Sequence, residues 1–150
     1  MMKIAVANDH AGINLKPALV KYLNENGYEV CDFGTYTTDS CDYPDFGLKA
    51  SQAVANKECD FGILICGTGI GMSMVANKVN GIRCAHCHDV FSAKATRMHN
   101  DANMIALGER VIGVGLMLEI VKAFLTTPFE GGRHQKRIDK ITEIEKLNSK

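Results

Sequence analysis

The sequence predicts an α/β chain built on five parallel strands, doubly wound, with helices on both faces and a further helix at the C-terminus. Three observations predict it. Short apolar or β-branched runs recur along the 150 residues, and stretches with helical spacing separate them. The length and the 46% hydrophobic, 23% charged composition suit one globular domain over residues 1–150, with no repeat, linker or low-complexity tract.

The first run, Lys3–Ala7, enters the sheet directly from the N-terminus. Leu15, Ala18, Leu19, Tyr22 and Leu23 then fall on one face of a helix. Pro17 is tolerable in its first turn, and Gly27 ends it. Tyr28–Phe33 is the second strand, and Pro44 to Asn56 carries the next helix. Phe61–Cys66 is the third strand, followed by a glycine loop and a helix start. Ile82–Ala85 is the fourth strand, Asp89 to Met98 a helix, and Met104–Leu107 the fifth strand. Met117, Ile120, Val121, Phe124 and Leu125 repeat the helical stripe before Pro128. A charged, weakly striped helix closes the chain from about His134. Strands alternating with helices in this way make a Rossmann-like parallel sheet, covered on both sides.

Charge and cysteine usage exclude several function classes. Seventeen basic residues balance seventeen acidic ones, which argues against broad binding to nucleic acid or an anionic membrane. No apolar run approaches the roughly 18 residues of a membrane span. The start also lacks the long apolar core and cleavage site of a signal peptide, so the expected location is the cytoplasm. Cys31, Cys59, Cys66 and Cys84 lie in or beside apolar runs, where reduced cysteine packs as a small hydrophobe. The six thiols are therefore read as free.

In open parallel sheets ligands bind beyond the carboxyl ends of the strands. Asp9 and His10 follow strand one, and Cys66 with Gly67-Thr68-Gly69-Ile70-Gly71 follows strand three. His86, His88 and Asp89 follow strand four, and Gly108, Glu109 and Arg110 follow strand five. The glycine loop is the sharpest signal, because alternate glycines leave backbone N–H groups unshielded before a helix dipole. Such a loop holds a phosphate, a carboxylate or an enediolate oxygen, or is merely a tight turn. Its G-x-G-x-G spacing matches neither the dinucleotide nor the Walker pattern. Cys66 precedes it, either as a thiol favourably placed for ionisation or as a packed structural cysteine. Thr68 either relays a proton or caps the helix.

Cys84-Ala85-His86-Cys87-His88 invites a zinc reading, but ligands on one strand alternate between faces and form no separated pair. No metal site is expected. Arg133 and Arg137 are four apart, so they share a helix face and can converge on one phosphate, or else form a solvated basic turn. His99-Asn100-Asp101 reads blandly as a cap and turn.

Taken together, Asp9-His10-Ala11-Gly12, Cys66 to Gly71, His99-Asn100-Asp101, Gly108-Glu109-Arg110 and Arg133…Arg137 occur in the order and spacing of one family. The chain resembles the type B ribose-5-phosphate isomerases, whose family also holds the galactose-6-phosphate isomerase subunits. The resemblance runs from about residue 3 to beyond Arg137. It implies a cofactor-free enzyme of the pentose phosphate pathway interconverting D-ribose 5-phosphate and D-ribulose 5-phosphate, with an active site completed across a homodimer or homotetramer interface. On this likeness Cys66 is the proton-abstracting base, and Thr68 with the amides of Gly67, Gly69, Ile70 and Gly71 stabilises the enediolate. His99 helps open the furanose ring and Asp9 lies near the sugar hydroxyls. His10, Arg133 and Arg137 hold the phosphate, with Asn100 and Arg110 completing the site. Some relatives carry the base on a Glu just after the loop; Val75 and its neighbours offer none here. Two alternatives remain open: a six-carbon 6-phosphate of allose or galactose as substrate, or a non-catalytic phosphosugar-binding module.

Overall fold

The computed structural model describes residues 1–149. The strands are β1 (Lys3–Asn8), β2 (Glu29–Asp32), β3 (Phe61–Cys66), β4 (Cys84–His86) and β5 (Met104–Gly108). The helices are α1 (Lys16–Glu25), α2 (Tyr43–Ala55), α3 (Ile70–Asn77), α4 (Val90–Asn100), α5 (Val114–Thr126) and α6 (Arg133–Asn148), with one 3-10 turn at His10–Gly12. All four strand pairings are parallel, in the order β2-β1-β3-β5-β4. The chain winds outward from β1 to β2 and returns past β1 to β3, so the winding reverses between β1 and β3. A crevice therefore opens beyond their carboxyl ends.

Strand alternation separates two apolar layers. Ile4, Val6, Ile63, Ile65, Ile105 and Leu107 face a core shared with residues of α1, α4 and α5. Ala5, Ala7, Leu64, Cys66, Met104 and Ala106 face residues of α2 and α3. The first layer takes the bulky side chains, including Phe124, which meets Phe61 edge-on with ring centroids 5.5 Å apart. Each such side chain stabilises the fold by roughly 1.5–3 kcal/mol. The second layer mixes alanine and cysteine with Leu64, Met72 and Met104, and it contains the Cys66 side chain.

Local chemistry sets the helix ends. Pro17 and Pro44 sit in first turns, where no N–H is needed. Gly27 closes α1 at φ +82, with the Tyr28 amide donating to the Leu23 carbonyl at 3.0 Å and the Gly27 amide to Asn24 at 3.3 Å. Asp89 caps α4 by accepting from the Ser92 amide at 2.6 Å. Two predicted strands shift. Tyr28 is held by the α1 cap, which trims β2, and the Ile82 amide donates to Val79 at 3.1 Å, so β4 starts two residues later at Cys84. In α6, Ile138 is buried while Ile141, Ile144 and Leu147 are exposed.

Candidate active site

Three strand ends build one rim. After β1, Asp9 accepts from the Ala11 amide at 2.9 Å and caps the 3-10 turn. Its own amide donates to the Ile65 carbonyl at 3.3 Å, which seats this turn beside the end of β3. His10 Nδ1 accepts from the Cys41 amide at 3.3 Å, leaving Nε2 to carry the proton of the neutral ring. After β3, Cys66 is 6% exposed, and its Sγ accepts from the Gly69 amide at 3.1 Å. That donor points to where negative charge resides once the thiol has lost its proton. Thr68 Oγ1 accepts from the Ile70 amide at 3.2 Å, which leaves its hydroxyl proton for a bound oxygen.

The loop after β5 lies along the glycine loop. The Glu109 amide donates to the Cys66 carbonyl at 2.9 Å and the Arg110 amide to the Gly67 carbonyl at 3.0 Å. Glu109 has a structural duty, since its Oε1 accepts from the Asn14 and Leu15 amides at 2.7 and 2.8 Å. Arg110 is left over Gly67, where an added methyl group would lie 3.5 Å from Nε. Gly69 takes φ +82, and a side chain there would meet the His86 ring at 2.9 Å.

Beside this rim, His86 and His88 meet edge to face at 4.6 Å. His88 Nε2 accepts from the Gly108 amide at 3.0 Å, so that nitrogen is unprotonated. Burial, then the neighbouring His86, hold the His88 pKa below the ordinary imidazole value, against an opposing pull from Asp89. The unfolded ring takes up its proton near about pH 6.5, which the folded ring resists. Stability is therefore present above that pH and lost as pH falls below it. The Tm of the parent should drop between about pH 7.5 and about pH 5.5 by more than that of His88→Asn. Equal drops in a pair of thermal melts would refute this.

The remaining candidates lie elsewhere. Helix α4 leaves the carboxyl end of β4 and returns against the strand direction over about 16 Å, ending at His99 and Asn100. There Arg83, just before β4, donates to the Asn100 carbonyl at 2.8 Å. The His99 and His134 rings stack at 4.6 Å, and the Glu130 amide donates to Met98 at 3.1 Å, so α6 also begins at this end. Within one chain, His99, Asn100, Arg133 and Arg137 are thus at the amino end of the sheet. Asp9, His10, Cys66 to Gly71 and Arg110 are at the carboxyl end. A cavity of ≈ 790 Å³ opens at the amino end, lined by Arg83, Asn100, Ile141 and Ile144, with none of the rim residues.

This arrangement has relatives. The family profile for Ribose/Galactose Isomerase matches residues 4–141. The chain belongs to the ribose/galactose isomerase family. It is 49% identical over 145 residues to ribose-5-phosphate isomerase B of Escherichia coli, covering 97% of each chain. A solved ribose-5-phosphate isomerase B from Clostridium thermocellum shares 55% identity with a TM-score of 0.97, over 99% of this chain and 100% of that one. The D-erythrulose-4-phosphate isomerase of Pectobacterium atrosepticum is 46% identical over 142 residues, 94% of this chain and 93% of that protein. As a member of this family the chain is a sugar phosphate isomerase.

In this isomerase several site-side residues escaped the sequence reading. Tyr43, at the start of α2, covers the glycine loop: a methyl group on Gly71 would lie 2.5 Å from its ring. The Tyr43-Pro44 helix start was its only local signal. Glu130 Oε1 lies 3.5 Å from Nε2 of both His99 and His134. The ligand atoms of these three lie within 4.8 Å of one another, close enough to hold one divalent cation. Among the described residues, no helix is long and apolar enough to cross a membrane.

Proposed function

We propose that this enzyme interconverts D-ribose 5-phosphate and D-ribulose 5-phosphate through an enediolate, with Cys66 as the base. The observation that carries the reading is the Cys66 sulfur at the end of β3, accepting an amide of the glycine loop that opens α3. Base and anion cradle are adjacent, as proton abstraction beside a carbonyl requires. Cys66 removes the C2 proton of the open-chain aldose, the C2–H electrons form the C1–C2 double bond as the C1–O1 π pair moves to O1, and the O2 proton passes to O1, leaving the negative charge on O2. The carbonyl then re-forms at C2 as C1 receives a proton from Cys66. Thr68 and the loop amides hold the enediolate oxygen, and Asp9 the hydroxyls.

The ring-opening and phosphate groups must come from a second copy. His99 for ring opening, Asn100, and Arg133 and Arg137 for the phosphate lie at the far end of each chain, so a homodimer brings one chain's rim to its partner's amino end. Ile70, Met74, Phe91, Val111 and Val114 are exposed around the rim, Phe91 by 79%, a patch that a second copy would cover. His10 joins the phosphate from the rim side and Arg110 completes the site. The six free cysteines suit a reducing compartment, in keeping with the cytoplasm.

A four-carbon substrate is the second reading, favoured by the 46% identity to the erythrulose 4-phosphate enzyme. Side-by-side kcat/KM values, with metal chelator present, compare ribose 5-phosphate with erythrulose 4-phosphate and with allose and galactose 6-phosphates. A pocket discriminates a single carbon by roughly 10–200-fold, so ribose 5-phosphate should lead by about tenfold or more. A lead by another sugar phosphate replaces the substrate. Thermal stabilisation without product from any of them would leave only a binding module.

A further inference from the structure

We propose that His86 is a positioning residue for Cys66, acting through the peptide bond between Thr68 and Gly69. His86 Nε2 lies 2.7 Å from the Thr68 carbonyl oxygen. A carbonyl can only accept, so Nε2 carries a proton and donates. The N–H of the same peptide is the one that donates to Cys66 Sγ at 3.1 Å. In a trans peptide C=O and N–H point in opposite directions. Fixing the carbonyl on one side therefore aims the amide at the sulfur on the other.

The packing leaves this peptide little freedom. A methyl group on Gly108 would sit 2.7 Å from the Thr68 carbonyl carbon and oxygen, so β5 presses on it directly. Gly69 is held at φ +82 beneath the His86 ring, a conformation open to glycine. His86 is itself placed by His88, whose ring meets it at 4.6 Å and whose Nε2 is fixed by the Gly108 amide. The chain of contacts runs from the end of β5, through two imidazoles, to the amide facing the thiol. Its effect falls on the charge that develops at sulfur, since a hydrogen bond to a charged acceptor is about twice as strong as a neutral one.

The proposal uses the assignment of Cys66 as base only for its kinetic consequence. His86→Leu removes the donor at an exposed strand end, and His86→Gln keeps an N–H at similar reach. The test follows iodoacetamide alkylation of the Cys66 peptide by mass spectrometry as a function of pH, together with kcat and KM. For His86→Leu we expect alkylation at neutral pH to slow about tenfold and its profile to move to higher pH, with kcat down by a similar factor and KM unchanged. His86→Gln should restore both. A parent-like profile in His86→Leu, or a Gln variant as impaired as the Leu variant, overturns the proposal. In the unmodified protein, nitrogen NMR of the imidazoles must find His86 protonated at Nε2; an unprotonated Nε2 overturns it without any variant. A shifted alkylation profile in a protein that isomerises no sugar phosphate would support the clamp while refuting the proposed reaction.

Discussion

Cys66→Ala is expected to abolish turnover of ribose 5-phosphate while leaving the chain folded. The thiol is the proposed base beside the glycine-loop cradle, and the loop amides cannot take a proton from carbon. Removing a positioned general base costs about 10²–10⁴-fold in rate. The cradle and phosphate contacts survive the substitution, so KM should change little while kcat falls. Structurally, the change deletes one sulfur from the layer of Ala5, Leu64, Met72 and Ala106, a loss of about 1 kcal/mol. Thermal melts should stay cooperative, with Tm lowered by only a few degrees. Parent-like kcat in a folded Cys66→Ala enzyme would eliminate the thiol as base. Neither Cys87 nor Cys59 is a substitute: burial pushes the Cys87 thiol up to about 11 and, with Cys31 beside it, Cys59 up to about 12.

Much of this half of the site was legible because its signals are local. Phe61–Cys66 is a continuous apolar run ending in alternate glycines, and both the strand and the turn follow from those residues alone. The edge strand β4 was less legible. Ile82 is apolar because it is buried, yet its amide completes a turn with Val79, so apolarity reported burial rather than pairing. His86 and His88 drew attention as a metal pattern, whereas their partners are the Thr68 carbonyl and the Gly108 amide, contacts between strand ends that sequence distance conceals. The order β2-β1-β3-β5-β4 likewise depends on which way each crossover turns, which no single segment encodes.

His99, Asn100, Arg133 and Arg137 show a different limit. The family resemblance assigned them to ring opening and phosphate binding, but a sequence does not say at which end of a sheet a returning helix stops. The parallel topology does: α4 starts at the carboxyl rim, so its last residues lie at the opposite end. The same constraint gives Glu130 its place between His99 and His134, an association of α4 with α6 across 35 residues of sequence.

That separation makes a second large effect testable by mixing two inactive enzymes. Cys66→Ala spoils the rim and leaves the amino-end groups intact; a His99→Ala/Arg137→Ala double variant does the reverse. Each homodimer should be inactive, because each of its sites lacks one half. In a mixed dimer the sound rim of one chain meets the sound amino end of the other, while the remaining site carries both defects. One site in two is then restored. Random pairing of equal amounts makes half of the dimers mixed, so co-refolding or co-expression should recover about a quarter of parental activity from two near-silent components. Recovery should appear only after subunits exchange and should retain the parental KM, since the restored site has every native group. If the mixture stays silent although mass spectrometry shows mixed dimers, the two ends do not form one site, and the ring-opening and phosphate roles of His99 and Arg137 fall together.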